Sequence, residues 1–296
     1  MNQRNTLATN ESDLVAVSVA GAVAHPGFPG LPSEPYRLTA DGTPFLLPTY
    51  GGIVYNVSVG DRAFGWAADC IHPGVSIGQA DDNWNRGLNV FACVGNRGRV
   101  MTGEAAGTAG VVTGKSGRFS EQVIVHIPHE ARSRMAVGDQ VLVRAEGVGL
   151  SLTDHPDVSL KGISAGLLAS LPAEEGEGQV AFGVTAQIPA YLVGAGLGLT
   201  SEGGSLHMQS TDRKLLRELD LDRLRLGDLV ALEDTDSRYN HGYLRGARAI
   251  GVVASTDGPR AGYGPGIAIL MTAPAGELGS FESPDTNLVQ LMGLED

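Results

Sequence analysis

The sequence is poor in cysteine and in long apolar runs. Cys70 and Cys93 are its only two cysteines among 296 residues, and they form no CxxC or zinc-ligand spacing. A disulfide framework is therefore excluded, and a reducing cytoplasm is the expected location. No run approaches the ~18 apolar residues that a membrane span needs. Residues 14–24 are apolar, but Glu11 and Asp13 precede them where a signal peptide carries positive charge.

Basic residues are also scarce. The chain has 21 Lys and Arg against 33 Asp and Glu, which gives a net charge of -12. Such a charge repels phosphate backbones and anionic lipids, so we expect neither nucleic acid nor membrane as a partner. Hydrophobic residues make up 42% of the chain, which is enough for a globular core.

Glycine is abundant, with 42 residues spread along the chain without a collagen period. Together with short alternating runs, it predicts many turns between short strands. Strands are expected near residues 15–19, 51–59, 88–94 and 121–128, and helices near residues 161–171, 211–219 and 283–292. The predicted fold is α+β and β-rich, in two lobes covering residues 1–158 and 159–296. Two polar segments, residues 153–157 and 173–178, are the linker candidates.

Residues 225–271 combine strand-like runs with polar residues and the glycine-rich loop at residues 262–266. Polar side chains at strand ends beside glycine loops are common in small-molecule sites. Asp234, Asp236 and His241 supply the oxygen and imidazole ligands that magnesium, manganese or zinc accepts, so a divalent metal is one interpretation. An ordinary polar hairpin loop is the alternative.

Two further motifs have more than one interpretation. Cys70 and His72 share a face if their segment is extended, and an imidazole can activate a thiol. A buried cysteine without a catalytic role is the alternative. Residues 109–116 fit a relaxed phosphate-binding loop, but a strand-like segment follows where that motif requires a helix, which argues against a nucleotide triphosphatase.

Several collinear motifs carry a family resemblance. They are GGIVYNVSVGDRAFGW, DCIHPGVSIG, FACVGNRGRVMTGEAAGTAGVVTGKSG, LRLGDLVALEDTD and IGVVASTDGPRAGYGPGI. Spread over most of residues 36–271, they resemble the bacterial and archaeal family numbered 4438 among the domains of unknown function. The resemblance implies a two-part, β-rich architecture and an oligomer, and it brings no established activity.

This chain departs from that family pattern at four positions. The pattern has histidine where the chain has Cys70, Ser116 and Tyr263, and glutamate where it has His72. The resemblance thus implies a rebuilt site, in which a metal held by family histidines would be in doubt. Positions that match the pattern are Asp69, Asn96, Lys115, Asp234 and Asp236.

These observations lead to two function hypotheses. The first is a hydrolase or lyase acting on a small polar metabolite, with Cys70 or Lys115 as nucleophile or base and the Asp234/Asp236 pair orienting it or holding a cation. Tyr263 completes the expected catalytic group. The expected ligand-binding residues are Asp69, His72, Asn96, Gly264 and Gly266, and the amides around the two glycines would hold an anionic group.

The second hypothesis is a non-catalytic small-molecule-binding or assembly protein, whose glycines serve turns and subunit packing. Residues 190–199 carry no charge, and an uncharged surface of that length is costly to expose to water. A homo-oligomer is therefore expected. Residues 69–74, 114–117, 234–241 and 262–266 combine glycines with isolated polar residues at strand ends, so we expect these four loops to converge on one site, which would favour the enzyme hypothesis.

Overall fold

A computed structural model describes residues 5–27, 36–117, 121–176, 178–202 and 204–295. Strands dominate these residues, and the five α-helices are only four to ten residues long. The predicted β-rich α+β class is confirmed. Within the described part of the chain, no helix is long and apolar enough to cross a membrane.

The N-terminal half forms a closed six-stranded barrel. Its strands follow the order β1-β4-β7-β6-β5-β8 around the barrel, and β2 and β3 form a separate two-stranded sheet. In β1, Val23 joins a buried cluster with Val75, Ile77 and Val125, and Val19 packs against it, while Val17 is exposed. The strands are β1 (Val17–Val23), β2 (Arg37–Leu38), β3 (Pro44–Phe45), β4 (Val75–Gly78), β5 (Arg97–Val100), β6 (Ala109–Lys115), β7 (Val123–His126) and β8 (Gln140–Ala145).

The C-terminal half contains a mixed sheet of order β12-β14-β15-β16-β13, with β9 paired to β16, and a smaller sheet of order β10-β11-β17. Most of the long β14 to β16 strands are buried, as their continuous apolar runs predict. The strands are β9 (Ser159–Leu160), β10 (Ala173–Gly176), β11 (Gln179–Val184), β12 (Ala186–Ile188), β13 (Leu206–His207), β14 (Leu229–Asp236), β15 (Gly242–Ser255), β16 (Gly266–Ala273) and β17 (Leu278–Glu282).

Short helices connect these strands, and several begin at a capping side chain. Asp81, Ser164, Asp212 and Asn287 each accept a hydrogen bond from a backbone N–H in the first turn of the helix that follows. The helices are α1 (Asp82–Phe91), α2 (His129–Arg132), α3 (Ala165–Ser170), α4 (Arg213–Glu218) and α5 (Leu288–Met292). The three predicted helices correspond to α3, α4 and α5, each shorter than expected.

The two halves share a core. Ile124 of β7 belongs to the same buried cluster as Val252 and Ala254 of β15. Gly114 makes the close approach possible, since a Cβ at this position would lie 2.6 Å from the Ala254 Cβ. The C-terminal end of β6 therefore lies directly against the C-terminal end of β15.

Two local predictions were wrong. Residues 88–94 were expected to form a strand, but α1 extends through Phe91, capped by Asp81 and packed on β1 through the buried Leu88. Residues 51–59 form no extended strand and make only the bridge from Ile53 to Val75. Residues 109–115 form β6, which agrees with the argument against a phosphate-binding loop there.

Residues 190–199 do not form an uncharged outer surface. Leu192 and Val193 are buried in the C-terminal core, and Ala195, Gly196 and Leu199 line a cavity, while Tyr191 and Leu197 are exposed. This segment packs mainly within one chain, so it no longer motivates the expected homo-oligomer.

Candidate functional site

A cavity of about 540 Å³ lies between the two halves. Such a volume suits a small-molecule ligand. The barrel half contributes the β2 region, the segment before β4 and the end of β6, and the C-terminal half contributes β13, the end of β15 and the loop before β16. The polar or aromatic residues of the lining include Arg37, Tyr50, Cys70, His72, Ser116, Ser205, His207, Ser255, Arg260 and Tyr263.

A buried carboxylate supports one wall of this cavity. Asp69 is 1% exposed and pairs with two arginines: its Oδ2 lies 3.1 Å from Arg37 Nη1 and 3.1 Å from Arg260 Nε. A side chain at position 258 would collide with this carboxylate, which explains the glycine there. Two arginines from opposite halves are thus fixed by a single acidic residue.

Arg260 keeps hydrogen-bonding capacity on the cavity side. Its Nε bonds to Asp69, and its guanidinium carbon lies 3.8 Å from the centre of the Tyr263 ring. Among the described residues, neither of its terminal amino groups donates a hydrogen bond to a protein atom. The guanidinium is therefore held by its inner edge, with its outer edge available to a ligand.

His207 presents a neutral imidazole. Its Nδ1 lies 2.9 Å from the carbonyl oxygen of Gly264, and because a carbonyl only accepts, Nδ1 carries the proton. Burial lowers the pKa of His207 below its ordinary value. Nε2 is then an unprotonated nitrogen on a residue that lines the cavity, able to accept a hydrogen bond or a proton.

His72 is a second neutral imidazole in the same wall. Its Nδ1 lies 2.8 Å from Ser76 Oγ, and its ring stacks on Tyr50 at a centroid distance of 5.8 Å. Burial, with a smaller contribution from His207, lowers the pKa of His72 to about 3. His72 therefore stays uncharged at neutral pH.

Cys70 has a strained backbone and an uncharged thiol. Its φ is 57°, in the left-handed region that residues with a side chain seldom adopt. Its Sγ lies 3.6 Å from the carbonyl oxygen of Tyr263. Burial, and then the negative charge of Asp69, raises the pKa of Cys70. The residue is thus poorly suited to act as a thiolate nucleophile.

Three of the four loops proposed to converge contribute to this one cavity. Cys70 and His72 come from residues 69–74, Ser116 from residues 114–117, and Tyr263 from residues 262–266. The loop at residues 234–241 contributes nothing to the lining. It lies in the hairpin of β14 and β15, where Asp234, Asp236 and His241 each contact a neighbour in the same hairpin.

Lys115 and Asn96 lie outside the cavity lining. Lys115 is buried with its Nζ 3.5 Å from the carbonyl oxygen of Val90, and burial lowers its pKa. The side chain of Asn96 accepts a hydrogen bond from Cys93 N and donates one to the carbonyl oxygen of Glu146. In this structure Asn96 shapes a turn of the barrel, and Lys115 faces away from the ligand space.

The three proposed metal ligands do not form a metal-binding group. Asp234 accepts a hydrogen bond from Gly246 N at 2.7 Å, and Asp236 pairs with Arg238, which lowers the pKa of that carboxyl. His241 lies 2.9 Å from Ser237 Oγ, and burial lowers its pKa to about 4. Across the described ranges, no group of three or more His, Cys, Asp and Glu side chains is arranged to hold a metal ion.

The glycine amides proposed to hold an anion already have acceptors. Gly264 N donates to the carbonyl oxygen of Met208 at 2.8 Å, and Gly266 N donates to Ser255 Oγ at 3.1 Å. Neither amide is free for a ligand. The carbonyl of Gly264 contributes instead, because it fixes the tautomer of His207.

Sequence reasoning missed Arg37, Arg260 and His207. Arg260 follows Gly258 and Pro259 directly before the proposed glycine loop, so its position in a turn beside that loop was a usable signal. The partner of Arg37 lies in another segment, and His207 stands in a two-residue strand without a recognisable motif. No local signal identified either residue.

Fold and site together define a class: a β-rich α+β protein with a ligand-sized cavity between a closed barrel and a mixed sheet. The chain matches the domain of unknown function DUF4438, its N-terminal part over residues 36–169 and its C-terminal part over residues 170–292. It therefore belongs to the DUF4438 family, and the suspected relationship is confirmed.

A solved relative has the same architecture. The crystal structure of TM1086 is 37% identical to this chain, covers 97% of it and 99% of its own length, and superposes with a TM-score of 0.90. No curated protein matches the chain. The fold and family are thus shared with TM1086.

Proposed function

We propose that this protein is an enzyme that performs acid–base chemistry of the lyase type on a small polar metabolite bound in the cavity between its halves. One observation carries the proposal: the bond from His207 Nδ1 to the Gly264 carbonyl leaves Nε2 unprotonated on a residue of the cavity wall. A positioned imidazole of this kind is the commonest general base in enzymes. His207 would accept a proton from the substrate.

The protonation and position of the neighbouring side chains favour a lyase over a hydrolase that uses a cysteine nucleophile. The raised pKa of Cys70 keeps its thiol protonated, whereas nucleophilic attack requires the thiolate. His72 and Ser76 form a hydrogen-bonded pair beside it, which holds the His72 ring in place. Lys115 has no role in this scheme because it does not line the cavity.

A second candidate is a protein that binds a small molecule without converting it. The pKa of His72, about 3, favours this candidate, because general acid–base catalysis is most efficient when the pKa lies near the working pH. In that case the two imidazoles serve only as hydrogen-bonding groups for the ligand.

The cytoplasm is the location we infer, since both cysteines are free and buried thiols. Homo-oligomerisation stays a prediction. Trp84 and Phe91 of α1 are large exposed apolar side chains that a second copy could cover.

Turnover measured in heavy water distinguishes the enzyme from the non-catalytic binding protein. A panel of 2-hydroxy acids, amino acids and their amides is incubated with the protein in D₂O, and proton NMR follows product formation and exchange of the proton next to the carboxyl group. The test variant is His207→Asn, whose amide nitrogen occupies the position of Nδ1 and can still donate to Gly264 while Nε2 is lost. The control is His129→Asn, since His129 is exposed and lies outside the cavity.

We expect turnover or exchange by the wild type and the control, and a loss of about 100-fold or more in His207→Asn, as is typical for a general base. Saturable binding without turnover or exchange would favour the second candidate. Turnover that survives in His207→Asn would remove His207 from the mechanism.

A further inference from the structure

Arg260 combines a fixed position with unused hydrogen-bond donors. Its Nε is held by both oxygens of Asp69, at 3.1 and 3.3 Å, and its plane lies on the Tyr263 ring. Only 19% of its side-chain surface is exposed. A guanidinium fixed in this way loses little conformational entropy when it binds a ligand.

We propose that the ligand of this cavity carries a carboxylate, which the two terminal amino groups of Arg260 bind side by side. Planar guanidinium and planar carboxylate form two parallel N–H···O bonds, which give both affinity and orientation. The inference rests on the proposed function, in which a small metabolite binds in this cavity, and it specifies the chemical class of that metabolite.

The neighbouring titratable groups of the wall add no charge beside Arg260. Burial keeps His72, His207 and Cys70 uncharged at neutral pH. None of these three groups therefore competes with the carboxylate of a ligand for the guanidinium of Arg260.

The remaining lining defines the rest of the ligand. His207 Nε2 accepts hydrogen bonds, so the ligand should present a hydroxyl or amino donor near its carboxylate. Leu38, Leu199 and Tyr50 supply apolar surface, which suits an apolar body. The class that fits is therefore a 2-hydroxy or 2-amino acid with an apolar side group.

Three matched probes test this class by isothermal titration calorimetry. Mandelate has the carboxylate, the hydroxyl donor and an apolar ring; mandelamide is its neutral isostere; phenyl phosphate replaces the carboxylate by a phosphate. The test variants are Arg260→Gln and Arg260→Lys. Arg213→Gln is the matched control, because Arg213 also pairs with a buried aspartate, Asp257, and lies over an aromatic ring, Phe64, but is absent from the cavity lining.

We expect mandelate to bind about 10-fold or more tightly than mandelamide, since hydrogen bonds between charged groups are the stronger ones. Arg260→Gln should weaken mandelate binding about 10- to 100-fold and leave mandelamide nearly unchanged. The affinity of Arg260→Lys for mandelate should lie between those of the wild type and Arg260→Gln, because lysine keeps the positive charge but cannot donate two parallel hydrogen bonds. Arg213→Gln should bind mandelate like the wild type.

The proposal is overturned if mandelate does not bind, if mandelate and mandelamide bind equally, or if Arg260→Gln and Arg213→Gln weaken mandelate alike. Tighter binding of phenyl phosphate than of mandelate would overturn the choice of a carboxylate. Because these titrations measure binding without turnover, a failure of the lyase proposal leaves their result intact. Conversely, turnover of a neutral substrate would refute the carboxylate while supporting the enzyme.

Discussion

Replacing Asp69 by asparagine is the sharpest test of how the cavity wall is built. The substitution keeps the shape of the side chain and removes the charge that Arg37 and Arg260 share. Asp69 is 1% exposed, and the two arginine side chains are 9% and 19% exposed, so all three groups are largely withdrawn from water. A neutral amide at this position would remove the negative charge that faces both partly buried guanidinium groups.

The cost follows from this burial. Removing one partner of a buried ion pair destabilises a protein by about 3–5 kcal/mol, because the remaining charge is uncompensated. Since Arg260 retains contact with the cavity, we take the lower end, about 3 kcal/mol, for Asp69→Asn. For a chain of this size that corresponds to a fall of roughly 6 °C in Tm.

The measurement is the free energy of unfolding from urea titrations, followed by tryptophan fluorescence, with Asp236→Asn as the control. Asp236 pairs with Arg238, but the two side chains are 21% and 35% exposed, and a pair so exposed contributes about 1 kcal/mol or less. Salt at about 0.5 M should screen the Asp236→Asn effect more than the Asp69→Asn effect. A loss below about 1 kcal/mol for Asp69→Asn, or equal losses for the two variants, would refute the reasoning.

Two further predictions concern the neutral groups of the wall. The pKa of His72 is about 3 in the folded protein against an ordinary 6.5. Between these two values the unfolded chain binds more protons, so the free energy of unfolding decreases as the pH falls. From pH 6.5 to about pH 5 this decrease should be about 1.5 kcal/mol smaller in His72→Asn than in the wild type. Urea titrations at both pH values check it, with exposed His129→Asn as the control, and parallel curves for His72→Asn and the wild type would contradict it. Burial and the charge of Asp69 raise the pKa of Cys70. The Cys70 thiol of the native protein should therefore not react with Ellman's reagent at neutral pH until urea unfolds the chain. Rapid labelling of the native protein that is lost in Cys70→Ser would show a reactive thiolate instead.

Local patterns predicted the fold class well and individual elements unevenly. Alternating apolar residues identified β1 and β7 as strands, although β7 is buried on both faces and not on one. Residues 88–94 show the limit of this approach. Their short apolar run fits strand and helix alike, and the Asp81 cap with the packing of Leu88 on the barrel decides for the helix.

The candidate site was only partly predictable for a related reason. Asp234, Asp236 and His241 looked like ligands because their side chains are suitable and adjacent, yet each is engaged by a neighbour within the same hairpin. Arg260 and Asp69, in contrast, are 191 residues apart. Only the tertiary structure brings them together, and a single sequence carries no local trace of such a pair.

The departures from the family pattern coincide with the cavity. Cys70, His72, Ser116 and Tyr263 are the four positions where the resemblance implies a different residue in the family, and all four line the cavity. The positions that match the pattern, Asp69, Asn96, Lys115, Asp234 and Asp236, do not line it.

Independent surface drift would scatter such replacements over the molecule. Their concentration on one wall, with the surrounding framework retained, is what a change of ligand within an unchanged fold would produce. Arg260 is fixed by Asp69, a framework position, whereas His72 and Cys70 belong to the altered set. We therefore expect the proposed carboxylate-binding part of the site to be shared with relatives such as TM1086, and the part proposed to recognise the remainder of the ligand to be specific to this chain.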